Sequence, residues 1–205
     1  CLMIIPLMAI IMTACDSGDE QEGPAPELSI GEKLQAALDH SVAKHDGKGI
    51  SLAIIMSDGT TLKCVSGISH GSVEITDNMY FSAGSITKMF TAGVLLKYQE
   101  EGKLSLDDSV GMWLPPYEHI DGSITLRQLL NHTSGIYDIV ENQELWNDIY
   151  ADPGRTWDLE EVIQNYVKAP YFEKGNNWHY SNTGYILLRM MIKAISGKSV
   201  GAVYR

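Results

Sequence analysis

The 205 residues include 44% hydrophobic and 20% charged side chains, an ordinary globular composition that excludes disorder and collagen-like repeats. With 15 lysines and arginines against 26 aspartates and glutamates, the formal charge is −11, which excludes the phosphate-neutralising surface of a nucleic-acid binder. Three cysteines, at 1, 15 and 64, make no disulfide framework, and with six scattered histidines and no Cys-x-x-Cys pair neither a metal nor a cofactor site is expected.

Residues 1–14, CLMIIPLMAIIMTA, are almost wholly apolar. They are too few for a spanning helix of about 20 residues, but they have the length of a signal-peptide core. The run begins with Cys1 and lacks a preceding basic segment, so it reads as a truncated lipoprotein signal peptide. Met12-Thr13-Ala14-Cys15 resembles the lipobox of bacterial lipoproteins, in which the cysteine is lipidated and becomes the mature N-terminus. Cys15 is the candidate lipidation site. Residues 15–28 are acidic, carry Gly and Pro, and have no apolar period, which describes a flexible tether. An acylated cysteine and a short tether hold a domain at a membrane without crossing it. The folded domain is expected over residues 29–205.

Within it, Leu34, Ala37, Leu38 and Val42 form one face of a helix of about 15 residues, which Gly47 is expected to end. Residues 50–56 and 61–68 are rich in β-branched side chains and flank Ser57-Asp58-Gly59-Thr60, a β-hairpin pattern. Residues 85–101 have apolar positions nearly all round, predicting a helix buried on most sides and ended by Gly102. Further helices are predicted at 126–130, at 159–167 with Asp158 and Glu161 in capping-box spacing, and at 183–195, stopped by Gly197. No third strand is evident, and a lone hairpin leaves its outer edges unpaired, so the sheet reads as unfinished.

Ser85-Ile86-Thr87-Lys88 places a hydroxyl and an amine three residues apart on one face at the start of a helix. Serine becomes a strong nucleophile when a base takes its proton, and a lysine can assist. The helix start adds N–H groups and a positive dipole end that favour a developing oxyanion. A lone S-x-x-K pair is weak evidence, because such pairs usually sit on solvated faces. The second element is Tyr180-Ser181-Asn182, a Y-x-N motif on a turn just before a helix. A tyrosine acts as general base only as phenolate, which a neighbouring ammonium favours, and the Asn182 amide can serve a substrate carbonyl or the lysine. Without Ser85 and Lys88 upstream, a packed Tyr180 ring and a helix-capping Asn182 would be the plainer reading.

With these motifs the sequence resembles the serine β-lactamase and penicillin-binding-protein superfamily, nearest its class C-like branch, which includes D-alanyl-D-alanine carboxypeptidases and family VIII esterases. Four blocks carry the resemblance, in the family's order, from about residue 31 to the end of the chain. They are residues 81–92 around Ser85, residues 101–108 (EGKLSLDD), residues 129–136 (LLNHTSGI) and the segment around Tyr180. The resemblance implies an α/β (α+β) fold in which an antiparallel sheet flanked by helices adjoins a mainly helical region. It implies Ser85 as the acylated nucleophile, Lys88 as its proton-transfer partner, Tyr180 as general base and Asn182 as a substrate-orienting group. The loop Asn131-His132-Thr133-Ser134-Gly135 is assigned structure and no chemistry.

The family's third motif, Lys-Thr-Gly or His-Thr-Gly on a strand, is absent. The chain therefore reads as a fragment, with the sheet incomplete and little activity of its own. The function expected of the protein is a serine hydrolase acting through an acyl-enzyme on D-Ala-D-Ala peptides, β-lactams or small esters. The location implied is the bacterial envelope, with a lipid anchor in a membrane. The alternative is a lipid-anchored, non-catalytic penicillin-sensing or peptidoglycan-binding protein. Gly67-Ile68-Ser69-His70-Gly71 matches the G-x-S-x-G elbow, but no helix is predicted to come after it, so it reads as a chance match. A triad built on His132 or His179 has no evident partners.

Overall fold

The computed structural model describes residues 27–45 and 48–205, so Cys15, the tether's first part and Gly47 lie outside the described residues. The described residues divide into two compact units, the first ending at Phe81 and the second spanning Ser82–Arg205.

In the first unit, Ser29 and Glu32 form a reciprocal capping box that starts α1 (Ile30–Lys44), and Leu38 is its buried residue. α1 packs on an antiparallel sheet of β1 (Gly49–Ile55), β2 (Thr61–His70) and β3 (Val73–Glu74). Leu52 pairs with Cys64 and Ile54 with Leu62. The intervening turn closes through the Gly59 N–H to the Met56 carbonyl at 2.9 Å, with Gly59 at φ 86°. Gly67 has φ 91°, and a Cβ there would lie 2.3 Å from the Lys48 carbonyl oxygen, so its place in the G-x-S-x-G string is explained by backbone geometry. Ser69 sits on β2, and the next element is the two-residue strand β3, not the helix that an elbow requires. β3 corrects the expectation of two strands. Its two residues, set across an irregular register from β2, are too few to give a periodic signal.

The second unit is mainly helical: α2 (Thr87–Glu100), α3 (Leu126–Leu130), α4 (Gln143–Ala151), α5 (Leu159–Tyr166), α6 (Asn182–Ser196) and α7 (Val200–Val203). α6 is central, with Leu187, Leu188, Met191 and Ile192 fully buried and α2, α3 and α5 packed against it. Gly197 at φ 66° ends it as predicted. Asp158 caps α5 by accepting from the Glu160 and Glu161 N–H groups. α4 and α7 are additions to the helices expected from the sequence. The signal for α4 is present, since Asn142 accepts from Glu144 N–H as an N-cap and Leu145 and Ile149 share a face. α2 departs from the expectation of burial on most sides, because only Thr91 and Leu95 are buried while Met89 is 74% exposed and Phe90 57%. Apolar residues all round a helix measure surface to be covered, not the neighbours present. Among the described residues no helix is long and apolar enough to cross a membrane.

Candidate active site

Ser85 lies in a 3-10 turn, Gly84–Ile86, that runs directly into α2, so the predicted helix start is a tighter turn that still sets Ser85 and Lys88 on one face. Gly84 enters this turn at φ 50°, a conformation that favours glycine. Lys88 Nζ donates to Ser85 Oγ at 3.3 Å and to Asn182 Oδ1 at 2.7 Å. Tyr180 Oη lies 2.9 Å from Ser85 Oγ. The Lys88 ammonium also stands 4.8 Å from the centre of the Tyr180 ring and 5.3 Å from that of Tyr185. The four residues singled out in the sequence thus meet, with Lys88 and Tyr180 both directed at one hydroxyl. Asn182 serves the lysine, one of its two expected uses.

The loop at 131–135, to which the sequence assigns no chemistry, holds this arrangement. His132 is the only non-glycine residue with positive φ, 64°, among the described residues. Its Nδ1 accepts from the Ser181 N–H at 3.2 Å, which leaves the ring proton on Nε2, and its carbonyl accepts from the His179 N–H at 3.0 Å. The ring lies 4.5 Å from that of Tyr180 and 5.3 Å from that of Tyr185. Gly135 at φ 73° leaves no room for a side chain, since a Cβ would fall 2.0 Å from the Phe172 carbonyl oxygen. Two neighbouring backbone bonds, Tyr171 N–H to Gly135 O and Gly175 N–H to Thr133 O, continue the clamp along the segment that carries Tyr180. His132 is the residue that sequence reasoning undervalues, and only its position beside Tyr180 reveals its role.

Burial, and secondarily the Lys88 charge, hold the His132 imidazole below the ordinary histidine pKa of 6.5, with Asp138 opposing. The folded state therefore favours neutral His132 more than the unfolded chain does. Its contribution to stability is complete above 6.5 and is lost as pH falls below that value through the depressed one. The melting temperature should fall between pH 7 and pH 5, and part of that fall should vanish in His132→Asn, which tolerates the same backbone conformation. An identical pH dependence in both proteins would refute this.

The chain is similar to several known proteins. The family described as Beta-lactamase matches residues 34–205. Penicillin-binding protein 4* of Bacillus subtilis (strain 168) is 36% identical over 142 residues, covering 64% of this chain and 30% of that protein. Esterase EstB of Burkholderia gladioli is 29% identical over 167 residues, covering 75% and 42%. The crystal structure of a D-stereospecific amidohydrolase from Streptomyces sp. superposes with a TM-score of 0.70 at 34% identity, covering 83% of this chain and 51% of that one. The chain thus spans about a third to a half of the length of these relatives.

Proposed function

The chain belongs to the Beta-lactamase family, and from that premise we propose that the protein is a serine hydrolase working through an acyl-enzyme. The observation that carries this reading is the convergence of Tyr180 Oη and Lys88 Nζ on Ser85 Oγ. Tyr180, as phenolate, takes the Oγ proton while Oγ attacks the substrate carbonyl carbon. The Lys88 ammonium keeps Asn182 as its acceptor and offers Oγ a hydrogen bond as charge moves onto it. Collapse of the tetrahedral intermediate expels an amine or alcohol that recovers the proton from Tyr180. Water, deprotonated by the same phenolate, then attacks the acyl carbon, the Ser85 Oγ–acyl bond breaks to free the acid, and Oγ recovers the proton from Tyr180. Ser85 at the N-terminal side of α2 places helix N–H dipoles on the side where an oxyanion develops.

The names of the relatives span a penicillin-binding protein, an esterase and a D-stereospecific amidohydrolase. The substrates proposed here are accordingly D-Ala-D-Ala peptides, β-lactams and small esters. The test is hydrolysis of one compound of each class by the full-length protein, with intact-mass detection of a Ser85 adduct. Turnover of at least one with such an adduct supports the reading, and turnover without any covalent intermediate overturns the acyl-enzyme route.

An envelope location with a lipid anchor is part of the same proposal and rests on Met12-Thr13-Ala14-Cys15 and its apolar flank. Expressed in a bacterium, the protein should incorporate labelled fatty acid and partition into detergent. Cys15→Ala should lose both properties, and undiminished acyl labelling of that variant would refute the anchor.

A further inference from the structure

Asp138 is the one acidic residue among the buried polar side chains of the described chain, 3% exposed, and the mechanism above gives it no part. It lies in the short segment between the loop at 131–135 and α4, where its side chain accepts from the Val140 N–H at 3.4 Å. The other hydrogen bonds of that side chain all go to one residue. Asp138 Oδ1 accepts from the Asn182 backbone N–H at 3.0 Å and from Asn182 Nδ2 at 3.3 Å, and Oδ2 accepts from Asn182 Nδ2 at 2.9 Å. A second clamp joins the same two segments, with Thr183 Oγ1 donating to the Tyr137 carbonyl at 2.6 Å and accepting from the Ile139 N–H at 3.0 Å.

An asparagine amide is nearly symmetric in shape and can present either its oxygen or its nitrogen to a neighbour. A carboxylate only accepts, so the Asn182 NH2 group must face Asp138, and the amide oxygen is then left facing Lys88 Nζ at 2.7 Å. Were the amide reversed, its oxygen would meet the carboxylate and its NH2 group the ammonium, two repulsive contacts in place of two hydrogen bonds. We infer that Asp138 is a positioning residue for the Ser85 centre, fixing the Asn182 amide so that its oxygen holds Lys88 against Ser85 and Tyr180. This inference rests on the serine-hydrolase reading for its consequence in rate, but not for the hydrogen bond itself.

Asp138→Asn isolates the effect. The variant retains an oxygen for the Asn182 backbone N–H, so the start of α6 survives, but its own NH2 group replaces the second oxygen. Whichever way Asn182 then turns, one donor faces another, either at the new amide of position 138 or at Lys88. The experiment, on the full-length protein, measures the rate of Ser85 labelling by a fluorescent penicillin in wild type, Asp138→Asn, Asn182→Ala and the double variant, with melting temperatures. It also records the side-chain amide NMR signals of Asn182 in nitrogen-15-labelled wild-type protein, assigned by their loss in Asn182→Ala.

Labelling should slow about 10- to 100-fold in Asp138→Asn, the scale of losing a partner that orients a metal-ligating side chain. Adding Asn182→Ala should then cost less than about twofold more, because the positioning is already lost. A merely structural Asp138 would lower the melting temperature and leave the two substitutions additive. Labelling of Asp138→Asn within about twofold of wild type, or additive losses, overturns the inference. The NMR arm stands even where that variant does not fold, because wild-type Asn182 amide protons that exchange with solvent as freely as exposed ones also overturn it. Absence of label on wild-type Ser85 counts against the hydrolase reading instead, and the amide signals still decide the clamp.

Discussion

In the full-length protein, replacing Ser85 with alanine is expected to abolish covalent labelling by a fluorescent penicillin or a fluorophosphonate while leaving the fold intact. Among the described residues the Ser85 hydroxyl hydrogen-bonds only with Tyr180 Oη and Lys88 Nζ, and the residue is exposed, so its removal orphans no buried group. Lys88 keeps its shorter bond to Asn182, and the Tyr180 ring keeps its packing on His132. A surface truncation of this kind changes stability by about 0.5 kcal/mol or less. Loss of label at unchanged melting temperature therefore reports chemistry and not unfolding. The control is Ser69→Ala, since Ser69 occupies the G-x-S-x-G string but sits on a strand beside His70. Label surviving in Ser85→Ala, or mapping to Ser69, would make the nucleophile assignment wrong.

The site is legible in the sequence because its groups come as short local motifs whose spacing carries geometry. A Ser and a Lys three residues apart at a helix start must share a face, and Tyr180 and Asn182 flank the N-cap of a helix marked by its own apolar stripe and Gly197. α1, α3, α5 and α6 are readable for the same local reason, since Ser29, Thr125, Asp158 and Ser181 cap their starts and Gly197 stops the last. What escapes is nonlocal. Nothing in the spacing of Asp138 separates it from any other acidic loop residue, and its meaning arises only when the chain returns at Asn182, 44 positions later. His132 is visible as part of a block but mute, because its role lies in a backbone conformation and in a ring contact with Tyr180, far along the chain. The overestimated burial of α2 has a related cause, in that composition along one helix says nothing of which elements reach it.

The second large effect is expected at the two groups that touch Ser85 Oγ, and the two substitutions should differ in character. Tyr180→Phe removes only the oxygen 2.9 Å from Oγ and retains the ring that packs 4.5 Å from His132, so the turn should hold its shape. Losing a general base costs about 10²-fold or more, and acylation should fall by at least that. Lys88→Ala removes the donor to Oγ, the cation beside two tyrosine rings, and the partner of Asn182 Oδ1. It should slow acylation at least as much and also lower the melting temperature, because a half-buried amide oxygen loses its hydrogen bond, at about 1 kcal/mol or more. Labelling rates and melting curves of both variants separate the cases. Acylation near the wild-type rate in Tyr180→Phe, with Lys88→Ala inactive, would assign the proton to the lysine and reverse the roles proposed for the pair. Near wild-type rates in both would mean that the proton leaves Ser85 by a path that neither group provides.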